Sequence, residues 1–188
     1  LDGQILGGTG TYPLEVIMEL WFTVNWLYLP TWNAGRLSQP VLQKTLCMDD
    51  LARIYLEACC NNPDALMFVS AFHHYCHTID DFVDGDKQFN AESMLDMLMQ
   101  ANVLYSTPFY INNCIRLQPV IVNITNTYAD SVAWEKSDVA WKRNVADVIR
   151  QCGNDMVVTV AWICGGYQHM RTISLKLREF AYHSQHKD

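Results

Sequence analysis

The chain has no C-x-x-C pair and no His/Cys spacing of the kind that holds zinc. Structural zinc and dithiol redox chemistry are therefore not indicated. Its seven cysteines are an odd number, and most sit among apolar residues. They read as buried free thiols in a reducing compartment, so a cytoplasmic location is expected. Positive charge is scarce: 13 Lys and Arg against 20 Asp and Glu leave a net charge of −7. General nucleic-acid binding needs a basic footprint, and no nucleic-acid partner is expected. No apolar run reaches the roughly 20 residues that span a bilayer. The strongest, residues 14–29, also contains Glu15 and Glu19. It reads as a buried or interfacial helix, and no transmembrane segment is expected. No basic region precedes that run, so a signal peptide is not expected either. Internal repeats, heptads and low-complexity segments are missing too.

What is present is a chain of 188 residues, half of them hydrophobic, which is enough for one domain with a real core. Residues 1–13 are Gly-rich and read as a flexible N-terminal arm. Residues 14–188 read as a single all-α domain. Helical periods follow one another without alternating strands, the pattern of a helical bundle. Pro30 stops the helix of residues 14–29, and residues 41–60 continue as helix. Asn61-Asn62-Pro63 breaks the chain and opens a helix that runs to about Asp84, where Gly85 caps it. Asn90 caps the next helix, and Pro108 and Pro119 punctuate the stretch that follows. Residues 109–134 contain Val120-Ile121-Val122, which suits a strand locally, but the length of the segment favours helix. Ser137 or Asp138 caps a helix to about Cys152. Gly153 marks a break, and Gly165-Gly166 separates an apolar segment from a final helix over 167–183.

Residues 72–86 carry the most chemistry. At about 100° per residue, His73, His77, Asp80, Asp81 and Asp84 fall within roughly one 100° arc. Phe68, Phe72, Tyr75, Ile79, Phe82 and Val83 take the opposite arc. No Lys or Arg lies between Arg53 and Lys87. Three carboxylates this close repel one another unless a cation neutralises them, and oxygen ligands suit a hard ion such as Mg²⁺ or Mn²⁺. Solvated helix faces usually mix signs at i, i+4. The Asp residues also sit at the C-terminal end, where the macrodipole disfavours negative charge. The rival reading is an acidic surface.

A second polar patch shares a helical face: Arg143, Asp147, Arg150, Gln151 and Asn154, with Asp155 at its border. Asp155 and Thr159 are i, i+4, so their oxygens can share one cation. Ordinary surface chemistry gives the same pattern. Paired with the first patch, the set fits a diphosphate gripped by metal ions on one side and by Arg on the other.

The stretch Tyr75-Cys76-His77-Thr78-Ile79-Asp80-Asp81-Phe82-Val83-Asp84 resembles the first aspartate motif of squalene/phytoene synthases. More broadly it resembles the Asp-rich motif of class I isoprenoid synthases. The resemblance implies an all-α isoprenoid-synthase-like fold, with Asp80, Asp81 and Asp84 as Mg²⁺ ligands. It implies that Asp155 and Thr159 form part of a second metal site, and that His77, Arg143, Arg150 and Asn154 contact an isoprenyl diphosphate. His77 stands where the phytoene synthase motif has Arg, and Ile163 where a Glu would complete the second metal motif. The activity implied is that of a transferase or lyase: metal-assisted departure of diphosphate inside an aromatic pocket. A homodimer is the expected partner arrangement. Two rivals stand beside it. One is a metal-dependent phosphohydrolase using His73, His77 and the aspartates. The other is a catalytically silent helical protein that binds or assembles.

Overall fold

Asn62 and Pro63 start the first long helix. The Asn62 side chain accepts from the Asp64 and Ala65 amides, and Pro63 fills the first helical position, where its missing N–H costs nothing. This helix, α1, spans Pro63–Asp84 and ends at Gly85, whose φ of 82° is the left-handed cap that glycine adopts without a Cβ penalty. Helix α2, Ala91–Ser106, opens with a reciprocal capping box between Asn90 and Ser93. Helix α3 is Pro108–Glu135, with the Thr107 side chain as its cap. Helix α4 is Ala140–Arg150, and the 3₁₀ turn Gln151–Gly153 leads into α5, Asn154–Gln185. A helical stretch over 50–58 precedes α1.

This computed structural model describes the backbone of residues 50–185 and side chains as far as residue 183. Among these residues every regular element is helical and there is no strand. The all-α expectation holds for them. The arm over 1–13, the helix over 14–29 and the first part of 41–60 lie outside the described residues. No helix among the described residues is long and apolar enough to cross a membrane.

Two local expectations need correcting. Neither Ser137 nor Asp138 is the cap of α4; the helix begins at Ala140, with Val139 before it. Ser137 organises the preceding turn instead. Its Oγ accepts from the Val139 amide at 3.2 Å, and its carbonyl accepts from Arg143 at 2.7 Å. Pro119 does not punctuate the chain but lies inside α3 on an exposed face. Tertiary packing carries the helix through a residue that removes one internal hydrogen bond. Leu117 and Ile124, both buried, anchor it on either side.

The core takes large side chains from four helices: Phe68 of α1, Leu104 of α2, Leu117 of α3, and Met156, Ile173 and Leu177 of α5. Helix α4 packs mainly on α3 and contributes Ala146. Helix α5 is not straight. Gly166 has φ 77° and ψ −172°, a backbone setting that is essentially glycine's alone. Its neighbour Gly165 is constrained differently. A Cβ there would lie 2.5 Å from the His169 ring.

Candidate functional site

A cavity of about 450 Å³ lies among the stretch 50–58, α1, α2, α3, the 3₁₀ turn and both halves of α5. Much of its wall is apolar, including Val69, Phe72, Ile79, Leu104, Ile124 and Val157. Polar groups reach it from two directions. Helix α1 supplies His73, His77 and Asp80, and the junction of α4 with α5 supplies Arg150, Gln151 and Asn154. Part of each polar patch of the sequence therefore borders one cavity, while Asp81, Asp84, Arg143, Asp147 and Asp155 are outside its lining.

The geometry of α1 sorts its acids. Asp80 and Asp81 are consecutive, so they stand about 100° apart at opposite edges of the polar arc. Asp80 is on the cavity side. Its Oδ1 accepts a 2.6 Å hydrogen bond from the Tyr128 hydroxyl of α3. Burial first, and then this bond to Asp80, push the Tyr128 phenol above its ordinary range, so it stays a donor. Asp81 turns outward to Lys87 at 2.6 Å. Asp84 lies one turn beyond Asp80 and meets Arg150 at 3.5 Å.

Arg150 is the hub of this end. Its Nη2 donates to Glu135 at 2.8 Å, its Nη1 faces Asp84, and its guanidinium lies over the Tyr128 ring at 5.8 Å. A planar fork suits this position, because each edge can serve a different acceptor. One link thus runs from Glu135 through Arg150 and Tyr128 to Asp80.

The remaining expected residues separate. His77 and Asn154 border the cavity with Asp80 and Arg150. Arg143 is exposed and tied to the Ser137 carbonyl, away from the lining. Asp155 is exposed, and the Thr159 hydroxyl donates to the Asp155 carbonyl at 2.7 Å. Neither borders the cavity. Among the described residues no three His, Cys, Asp or Glu side chains gather as an all-protein cage for a metal. Asp80 and Asp84 each have a protein partner, Tyr128 and Arg150; a Mg²⁺ ion would take one or two such carboxylates and leave its other positions to waters and phosphate oxygens.

Deeper in the wall, His73 Nδ1 lies 3.0 Å from the Tyr55 hydroxyl. Burial, with help from His77 and His74, lowers the His73 pKa to about 3, so the ring is neutral. Burial likewise raises the Tyr55 phenol. The cavity thiols are inert for the same reason. Burial pushes Cys76 up to about 12 and also raises Cys152.

Tyr55, Tyr128 and Glu135 were not singled out from the sequence. Tyr128 is 48 residues from the acid it holds, and Glu135 lies 15 from Arg150. Helical spacing groups residues within one element only. No family model, curated protein or solved structure matches the chain, so any reading of this cavity stands on its own geometry.

Proposed function

We propose that the cavity binds an amphipathic diphosphate of the isoprenyl class, with Mg²⁺ or Mn²⁺ held at Asp80 and Asp84. One observation carries the reading: acid from α1 and Arg150 border the same cavity, whose inner wall is apolar and whose size lies in the range of small-molecule sites, about 300–1,000 Å³. The anionic head belongs at the Asp80–Arg150 end and the prenyl tail against Phe72, Ile79 and Val157. When bound, the metal supplies positive charge that offsets the carboxylates and polarises the phosphoryl oxygens. Arg150 is placed to exchange Asp84 for a phosphate oxygen while Glu135 keeps its other edge. The all-helical architecture is compatible with the isoprenoid-synthase fold that the aspartate motif resembles.

A binding role without turnover is the second reading. It is favoured by Asp155 and Thr159, which stay outside the cavity lining, and by Ile163 in place of an acid. The phosphohydrolase reading is the weaker rival, because His73 Nδ1 is taken by Tyr55 and no three His, Cys, Asp or Glu side chains gather around a metal position among the described residues.

The test is thermal. Mg²⁺ together with geranyl diphosphate should raise Tm, since a ligand bound only by the native state stabilises it. At about 100 times Kd the gain is about 2.7 kcal/mol, or a shift of about 5–10 °C for a chain of this size. Asp80→Asn with Asp84→Asn should remove the Mg²⁺-dependent part. No shift in the parent protein defeats the reading. Release of diphosphate over time separates an enzyme from a binder.

A further inference from the structure

The Tyr55–His73 pair is a polar point beside Leu51, Val69 and Phe72, with the His77 ring edge-on against His73 at 4.3 Å between centroids. Tyr55 is only 6% exposed. Each side chain bonds the other, and among the described residues neither has a further hydrogen-bond partner. The neutral pair admits two proton arrangements. If Tyr55 donates to Nδ1, then Nε2 carries the remaining proton of His73. If Nδ1 donates to Tyr55, the phenol proton is left over. In both arrangements one donor and one acceptor are unspent. A pure hydrocarbon tail lying here would leave them without partners, which is costly for buried groups.

His73 and Asp80 are seven residues apart on one helix, which at 1.5 Å per residue is about 10 Å. We infer that the ligand carries an uncharged oxygen, a hydroxyl or carbonyl, about 10 Å from its anionic head, seated on Tyr55 and His73. The inference rests on the diphosphate reading above and narrows it: the tail is oxygenated and not a plain prenyl chain. A charged group is disfavoured at this depth, since among the described residues no side chain of opposite charge pairs with Tyr55 or His73 and burial of a lone charge is costly.

The experiment compares three ligands by calorimetry in Mg²⁺ at pH 7: geranyl diphosphate, its ω-hydroxylated form, and an analogue with a methyl group in place of that hydroxyl. The wild-type protein should bind the hydroxylated form about tenfold more tightly than the other two. Tyr55→Phe should cut that preference to less than about threefold, and an unfolding transition like that of the wild type reports that the variant is folded. The methyl analogue controls for bulk without any substitution in the protein. Equal binding of all three ligands by the wild type overturns the oxygenated tail and leaves the diphosphate reading standing. A preference that survives Tyr55→Phe combined with His73→Gln also overturns it. Failure of every ligand to bind removes both.

Discussion

A neutral histidine in a protein wall carries a pH signature. The His73 pKa falls from an ordinary 6.5 to about 3, first through burial. Below pH 6.5 the unfolded chain takes up a proton that the folded chain refuses. The contribution is therefore complete above pH 6.5 and is lost as the pH falls toward 3. The slope is about 1 kcal/mol per pH unit. His73→Gln, which can still bond Tyr55, should flatten the fall in Tm between pH 6.5 and 4.5 relative to wild type. An unchanged profile would mean that His73 is protonated in the fold. Much of the site was legible at this scale. His77, Asp80, Arg150 and Asn154 were grouped by spacing, and the structure brings them to one cavity. Asp81 was grouped with them because a 100° arc is coarse. The cavity meets only the Asp80 edge of that arc, and only a neighbouring helix could decide which edge.

At the scale of elements, the punctuation of the chain was its most readable feature. Asn62, Pro63, Gly85 and Asn90 act through backbone groups a few residues away, so local sequence contains the whole interaction. Asn90→Ala removes the side-chain half of the capping box, leaves the residue-90 amide donating to Ser93 Oγ, and should cost about 1 kcal/mol in urea unfolding. A loss below about 0.3 kcal/mol would show that α2 begins independently of its cap. The misreadings were of elements stabilised from outside. Pro119 is tolerated because Leu117 and Ile124 bury α3 on both sides of it. The start of α4 is shifted because the Ser137 carbonyl serves Arg143. Neither could be read from propensity.

The whole molecule depends on a few aromatic and aliphatic side chains shared between helices. Phe68 is fully buried, and its ring meets Phe72, Phe109 and Tyr110 at centroid distances of 6.3, 5.7 and 6.1 Å. Phe68→Ala should cost about 3–5 kcal/mol, read by chemical denaturation. A loss under about 1 kcal/mol would mean that α1 and α3 are held together elsewhere. The backbone break at Gly166 has a consequence of another kind. Asn154 and Val157 precede it and Phe180 and Ala181 follow it, yet all four border the cavity. One residue thus joins two walls of the same chamber, and its torsion angles set the gap between them. That makes Gly166 a matter of traffic. Gly166→Ala forces a side chain into a strained setting, at a cost of about 1–3 kcal/mol. The walls should re-angle, and ligand entry and exit in stopped-flow fluorescence should both change by more than the equilibrium affinity does. Identical rates would show that the Gly166 torsion angles do not control access to the chamber.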